Sequence, residues 1–309
     1  MKKKNNERII ILGASGQLGS ALSTILDRNA YNFGQIYPLN KSELDITNVD
    51  DMNKIISEIK PNLIINASAY TKVDKAEDEE EACMNVNYHG VTNLSKICGL
   101  NDIPLIHFST DYVFNGKRPA YHPNSATSPI GVYGKSKLLG EESVKNYASP
   151  ASIIIRTSWV YSSTGKNFVK TILNIAEKPS GLIPVINDQI GRPTYARSLA
   201  EKTSLILSRT CSLGYHTLRI FSGTYHVAGG GKPCSWYDFS REILRQGGSL
   251  GFPINTDCTP ISSHEWNSKV KRPQNATLDC SRFETQFSTK MDHWKISLTS
   301  CLIELKNSY

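Results

Sequence analysis

Ile9-Ile10-Ile11-Leu12-Gly13-Ala14-Ser15-Gly16-Gln17-Leu18-Gly19 is the stretch whose reading decides the fold. Four apolar residues read as a buried strand, glycines follow at three-residue spacing, and residues 20–27 read as a helix. Glycines at a strand-to-helix turn let backbone approach a ligand closely, and a helix N-terminus offers N–H groups and the positive end of its dipole to an anion. In that setting Gly13, Ser15, Gly16, Gln17, Leu18 and Gly19 form a candidate loop for a dinucleotide pyrophosphate. A glycine-rich turn of no chemical consequence has the same composition, so the assignment needs support from further along the chain.

Toward the C-terminus, the apolar run 104–108 reads as another strand, Ser109-Thr110-Asp111-Tyr112-Val113-Phe114 follows, and residues 133–147 read as a helix. Tyr133 and Lys137 are four apart and so share one helical face. An ammonium beside a phenol favours the phenolate, so the spacing predicts a Tyr133 pKa lowered toward neutral pH. Such a tyrosine donates its proton to a carbonyl oxygen while a hydride arrives at carbon, with Lys137 also available to the cofactor. Tyrosine and lysine are common on solvated helix faces, and it is the glycine loop upstream that gives the pair meaning.

Between these motifs, residues 35–39 predict a second strand. A Rossmann fold specific for NAD places an acidic residue at the end of this strand to hold the ribose hydroxyls. Asn40 and Lys41 stand there instead, and Lys41 suits a 2′-phosphate, which points to NADPH with NADH as the alternative; the bland reading of Lys41 is an exposed loop lysine. Residues 49–59 read as a helix stopped at Pro61, and Leu63-Ile64-Ile65 as a buried strand. Ala67, Ser68 and Ala69 follow Asn66 at its carboxyl end, where open α/β sheets bind ligands, and their small size lets a cofactor lie against backbone. The acidic run 77–81 is expected to supply favourable first-turn charge to a helix and not a metal site. This alternation predicts an α/β fold, a Rossmann-like doubly wound parallel sheet.

Residues 152–158 predict another strand, ending in Arg156-Thr157-Ser158-Trp159. Beyond it the alternation becomes irregular: 167–177 reads as a helix, 182–187 as a short strand, 196–208 as a helix and 224–228 as the last strand of the main sheet. Gly229-Gly230-Gly231 is expected to be a hinge. The predicted division is a dinucleotide-binding domain of residues 1–158 and 195–228, and a smaller C-terminal substrate-binding lobe of 159–194 and 229–309. Within the lobe, 236–246 and 294–305 read as helices, and Arg272 precedes Pro273 in a polar loop suited to clamping a nucleotide diphosphate. There are no internal repeats.

Composition bounds the rest. A chain of 309 residues with 39% hydrophobic and 20% charged residues fits a soluble protein with one substantial core, or that core plus a lobe. The formal charge of +7 has no compact basic run behind it except Lys2-Lys3-Lys4, which precedes the first strand and is expected to be an unstructured start, so nucleic acid is not a predicted partner. No apolar stretch approaches a membrane span, and residues 9–12 are too short for a signal-peptide core. Seven cysteines, at 83, 98, 211, 234, 258, 280 and 301, show no CxxC. An odd, scattered set argues for reduced thiols in a cytoplasm and against a zinc site or disulfide framework.

GxxGxxG at residues 13–19, Asn66-Ala67-Ser68-Ala69, and Thr110 with Tyr133-xxx-Lys137 together resemble an extended short-chain dehydrogenase/reductase. Ser109-Thr110-Asp111-Tyr112-Val113-Phe114, Arg156-Thr157-Ser158-Trp159-Val160-Tyr161, Asn187-Asp188-Gln189-Ile190-Gly191-Arg192-Pro193-Thr194 and Arg272-Pro273-Gln274-Asn275 narrow the resemblance to the dTDP-4-dehydrorhamnose reductase family. That resemblance implies NADPH-dependent reduction of the C4 keto group of a nucleotide-linked 4-keto-6-deoxy sugar, dTDP-4-dehydro-L-rhamnose to dTDP-L-rhamnose. By the same resemblance Thr110 would hydrogen-bond the carbonyl oxygen, Tyr133 would protonate the alkoxide, and Lys137 would hold the nicotinamide ribose. Asp45 and Ile46 would meet the adenine, Asn87 would help to fix the active-site backbone, Trp159 would wall the sugar ring, and Thr71, Val73, Asp111 and Tyr112 would line the substrate path. A homodimer is admitted. The chain departs from the family where relatives carry Tyr-x-Glu-x-Asp, because Tyr121-His122-Pro123-Asn124-Ser125 puts Pro123 and Ser125 at the acidic places. Two other readings stay open: a sugar-nucleotide reductase of different ring stereochemistry, and a non-catalytic binding subunit like the regulatory β subunit of methionine adenosyltransferase, which resembles the same family.

Overall fold

Ile9, Ile10 and Ile11 are all fully buried, which consecutive strand residues achieve only in a sheet covered on both faces. In the computed structural model, which describes residues 6–308 apart from 180, 267 and 269, they belong to β1 (Arg8–Leu12). Lys2-Lys3-Lys4 lies outside the described residues. β2 (Gln35–Leu39), β3 (Leu63–Asn66), β4 (Leu105–Thr110) and β5 (Ile153–Thr157) follow, and the sixth strand of the same sheet is Gly223–His226. Every pairing is parallel, and the order across the sheet is sixth strand, β5, β4, β3, β1, β2. Pro38, which has no N–H to give, sits on the outer strand β2.

Side-chain alternation sorts β1 between two cores. Ile9 and Ile11 pack with Leu22, Ile25 and Leu26 of helix Gln17–Asp27 and with Leu199 and Ile206 of helix Ala196–Ser208. Ile10 and Leu12 pack on the other face with Met52 and Ile56 of helix Val49–Ile59 and Leu94 and Ile97 of helix Val91–Leu100. Each such side chain contributes about 1.5–3 kcal/mol by leaving water. The chain runs from β1 outward to β2 and then crosses back to β3, so β1 and β3 are the neighbours where winding reverses. The crevice at their carboxyl ends is where sheets of this kind take ligands.

A third core lies beyond the sheet, where Tyr161, Ile172, Val185, Phe239, Ile243, Trp294, Leu298 and Leu302 pack together. Leu278, Phe283 and Phe287 belong instead to the core of the main sheet, next to Tyr225. Of residues 229–231, expected to be a hinge, Gly229 and Gly230 are buried and tightly crossed, and Gly231 is exposed at φ +86°. A Cβ on Gly229 would lie 2.1 Å from the Pro193 carbonyl oxygen, and one on Gly230 would lie 2.2 Å from that of Met291. The Gly230 N–H donates to the Asp292 carbonyl at 2.7 Å and its carbonyl accepts from Trp294 N–H at 3.1 Å. Gly229 and Gly230 are there because backbones cross, which corrects the hinge at those two positions. Among the described residues no helix is long and apolar enough to cross a membrane.

Candidate active site

The glycine loop closes on the loop after β3. Gly13 has φ +74°, and a Cβ there would lie 2.7 Å from the backbone N and Cα of Ser68; one on Gly19 would lie 2.1 Å from the Gly13 carbonyl oxygen. Helix Gln17–Asp27 starts three residues earlier than predicted, with Gly16 at its N-cap and no side chain capping it. Its first-turn N–H groups, from Gln17, Leu18 and Gly19, face outward with Ser15 just before them, which suits an anion. A cradle that any side chain would fill, ending in an uncapped helix, fits a dinucleotide pyrophosphate. Ala67 and Ala69 flank Ser68, whose N–H and hydroxyl donate to Asn66 Oδ1 at 3.0 and 2.5 Å. Asn66 Nδ2 in turn meets Nδ1 of His107, a buried histidine on β4.

At the end of β2, Lys41 is 79% exposed and lies 3.4 Å from Asp45, which also accepts from the Thr47 N–H and hydroxyl. Ile46 is buried in the core with Met52, so its side chain packs the sheet and only its backbone is left to meet an adenine. If Lys41 holds a 2′-phosphate, Lys41→Ala raises KM for NADPH roughly tenfold or more and leaves that for NADH nearly unchanged, a charge-assisted hydrogen bond being worth about 1.5–3 kcal/mol. Equal changes in steady-state assays with the two cofactors would make Lys41 a loop residue only.

β4 delivers Thr110 at its carboxyl end, and helix Val132–Tyr147 delivers Tyr133 and Lys137 from the facing side. The Thr110 hydroxyl lies close to the Tyr133 phenol; its Oγ1 donates to Asp111 Oδ1 at 3.0 Å and accepts from Tyr112 N–H at 3.2 Å. Lys137 is 2% exposed and donates to the Phe108 carbonyl at 2.6 Å. Burial pushes its pKa down to about 8, with Glu141 pulling the other way. The Tyr133 phenol is pushed above its ordinary value by burial, against which the neighbouring Thr110 hydroxyl acts. This differs from the direct lowering by Lys137 that the four-residue spacing predicts, because the ammonium is turned to the strand carbonyl.

Of the residues that hold the helix carrying this pair, Asn87 is the one that the resemblance singles out. Glu77 Oε1 accepts from Val132 N–H at 2.9 Å and so caps the first turn of that helix across 55 residues. Of the acidic run, only Glu80 and Glu81 supply first-turn charge, to Glu80–Met84, while Glu79 accepts from the Tyr70 hydroxyl at 2.7 Å. Asn87 sits in a π-helical turn, Asn85–Gly90, that aims its amide at the site. It brackets Tyr70, accepting from its N–H and donating to its carbonyl, both at 3.0 Å, and donates to Ser136 Oγ at 3.1 Å. Further along, Arg156 of β5 makes two bonds to Glu141, at 2.7 and 2.6 Å, with neither residue more than 2% exposed. Ser109 donates to the same carboxylate at 2.6 Å.

On the lobe side, Tyr112 packs edge-on against Tyr133 with ring centres 5.5 Å apart, and the charge of nearby Arg272 acts against the rise that burial gives the Tyr112 pKa. Arg272 also pairs with Asp74 and donates to Ser268 at 2.9 Å. Thr71 is exposed and Val73 half-buried, and together they lead from Ala69 to Asp74. The structure thus brings Tyr112 beside Tyr133, Asp111 beside Thr110 and Arg272 beside Asp74, and Thr71 and Val73 precede Asp74 in the chain. Trp159 is farther along, at φ +47°, stacked on Trp236 with centres 3.5 Å apart and held against Gly191. A mostly apolar cleft of about 510 Å³, lined by Phe168, Ile172, Pro184, Trp236 and Trp266, opens beside Arg272. Gln17 meets the segment after Trp159 through Ser162 Oγ at 3.2 Å.

Comparison with known proteins decides the family. The profile described as "RmlD substrate binding domain" matches residues 7–307. The dTDP-4-dehydrorhamnose reductase of Aggregatibacter actinomycetemcomitans is 39% identical over 94% of this chain and 97% of that protein. The chain belongs to the dTDP-4-dehydrorhamnose reductase family. The Escherichia coli K12 reductase of this family is 31% identical over 96% of this chain and 97% of its own length. A Bacillus anthracis dTDP-4-dehydrorhamnose reductase, solved in complex with NADP, superposes with a TM-score of 0.86 at 35% identity, covering 97% of this chain and 99% of that one. At the two places where the resemblance expects carboxylates, this family member uses other groups. The Pro123 carbonyl accepts from Arg156 Nη1 at 3.1 Å, and Ser125 Oγ accepts from the N–H of His122, an exposed loop residue, at 2.9 Å.

Proposed function

We propose that this chain catalyses NADPH-dependent reduction of the C4 ketone of dTDP-4-dehydro-L-rhamnose to dTDP-L-rhamnose. The observation that carries the reading is the meeting of Thr110, Tyr133 and Lys137 beside the β1/β3 crevice, next to the cradle formed by Gly13, Gly16 and Gly19. The dinucleotide, when bound, supplies the hydride. The Thr110 hydroxyl bonds the substrate carbonyl and the Tyr133 phenol gives its proton to the C4 oxygen. A phenol pushed up by burial stays protonated at neutral pH, and a developing alkoxide is basic enough to take that proton. Lys137, its pKa pushed down to about 8, still carries charge at pH 7 and offsets the phenolate that forms.

In this reading residues 1–158 and 195–228 hold the dinucleotide while 159–194 and 229–309 hold the sugar nucleotide, with Arg272 on the diphosphate in place of Asp74 and Trp159 bounding the sugar. A cytoplasmic location and a homodimer belong to it as expectations. The test is NADPH oxidation with a panel of 4-keto sugar nucleotides: turnover is expected to be fastest with dTDP-4-dehydro-L-rhamnose. A faster ring epimer would favour the reductase of different stereochemistry, and binding without oxidation would favour the regulatory-subunit reading.

Arg272 separates a sugar-nucleotide enzyme from a generic reductase. A guanidinium holds phosphate oxygens by two parallel bonds that lysine cannot reproduce. Arg272→Lys is therefore expected to weaken dTDP binding by about 1–2 kcal/mol and to leave NADPH binding unchanged. Calorimetric titration checks both, and unchanged dTDP affinity would remove Arg272 from the site.

A further inference from the structure

His107 lies in the middle of the sheet, where β4 pairs with β3 and sets it opposite Asn66, and both residues are fully buried. The donors around the pair fix where the imidazole proton is. Ser68 N–H can only donate, so the Asn66 atom it meets at 3.0 Å is the carbonyl oxygen, which also takes the Ser68 hydroxyl at 2.5 Å. The Asn66 amide nitrogen is thereby turned to His107 Nδ1, 3.1 Å away, and donates to it. Burial, together with the nearby Lys137 charge, holds the His107 pKa well below its ordinary value, so the ring is neutral. A neutral imidazole that accepts at Nδ1 carries its proton on Nε2. Among the described residues Nε2 is buried with no hydrogen-bond partner. A buried N–H left unpaired costs at least as much as one ordinary hydrogen bond returns, so stability alone does not account for a histidine at this place.

What the bond does hold is the loop beside the glycine cradle. Asn66 ends β3 and ties down Ser68 by two bonds, and a Cβ on Gly13 would lie 2.7 Å from the Ser68 backbone N and Cα. Ala67 N–H is held separately, by the Leu12 carbonyl at 3.1 Å, so a turned Asn66 amide would release Ser68 while β3 stays paired. The two ends of a carboxamide differ little in shape, and a partner that accepts without donating is what keeps the carbonyl end toward Ser68. We propose that His107 is a positioning residue for the dinucleotide: its bare Nδ1 fixes the Asn66 amide, and through it the backbone of residues 67–69 against the Gly13 cradle. This rests on the reading of residues 13–19 as the pyrophosphate loop. His107, fully buried, touches neither cofactor nor sugar itself.

The test combines 15N NMR of the imidazole in the cofactor-free protein with NADPH and dTDP titrations, steady-state rates and thermal unfolding of His107→Phe and His107→Asn. The unaltered protein should show an imidazole bare at Nδ1 and protonated at Nε2. Phenylalanine fills the space without offering an acceptor, and it is expected to raise both Kd and KM for NADPH about tenfold, the worth of one hydrogen bond. dTDP affinity, kcat at saturating NADPH and the melting temperature without cofactor should stay near those of the unaltered protein. Asparagine can set its carbonyl oxygen close to where Nδ1 stands, and it should restore most of the NADPH affinity. An imidazole protonated at Nδ1 would overturn the proposal, as would unchanged NADPH affinity in His107→Phe or equal losses in the two variants. A lowered melting temperature with dTDP and NADPH binding weakened alike would make His107 a structural residue only and overturn it too. Failure of the unaltered protein to bind NADPH would instead strike the cradle reading itself.

Discussion

Tyr133→Phe is expected to lower kcat on the order of 10²-fold or more, the range of general acid catalysis, while NADPH affinity stays within about twofold. Phenylalanine keeps the ring that packs edge-on against Tyr112 and removes only the hydroxyl that Thr110 contacts. Thr110 can still bond the carbonyl oxygen, but a threonine hydroxyl is a far weaker acid than a phenol, and Lys137 is held at the Phe108 carbonyl. No other group that reaches the oxygen is an acid of comparable strength. Steady-state rates together with a fluorescence titration of NADPH check this, and near-normal turnover would remove Tyr133 from the chemistry.

The second large effect is on stability. Arg156→Met is expected to cost about 3–5 kcal/mol, because it leaves the Glu141 carboxylate buried and without its guanidinium. Glu141 is 0% exposed and would keep only the Ser109 hydroxyl and, at 3.6 Å, the half-exposed Lys145. The Pro123 carbonyl would lose its donor as well. Adding Glu141→Leu should recover much of the loss, since a buried ion pair replaced on both sides by apolar groups is often neutral or better. Denaturant unfolding of the single and double variants measures both, and a cost below about 1 kcal/mol for Arg156→Met would mean that the pair is not closed in solution.

How much could be read from sequence depended on whether the signal was local. The run Ile9-Ile10-Ile11-Leu12 before Gly13 is a short-range pattern, and it placed β1 and the cradle. Residues 49–59 carried both their start and their stop nearby, and the helix matches to the residue. Gly229 and Gly230 read as a hinge because close packing and freedom to bend select the same residue, and only the neighbours Pro193 and Met291 tell them apart. Glu77, Asn87 and Glu141 hold the Tyr133 helix through bonds to Val132, Ser136 and Arg156. Glu77 and Val132 are 55 positions apart, a distance over which no periodicity speaks. The direction of the Tyr133 pKa was missed for a related reason: i,i+4 spacing fixes a shared face, but the Phe108 carbonyl that takes the Lys137 ammonium comes from another strand.

NADPH deuterated at nicotinamide C4 tests the central claim most directly. Incubated with this protein and dTDP-4-dehydro-L-rhamnose, it should give dTDP-L-rhamnose carrying one deuterium at sugar C4, seen by NMR as loss of the H4 signal. Deuterium at any other ring carbon, or a recovered ketone with the label still on the cofactor, would contradict it.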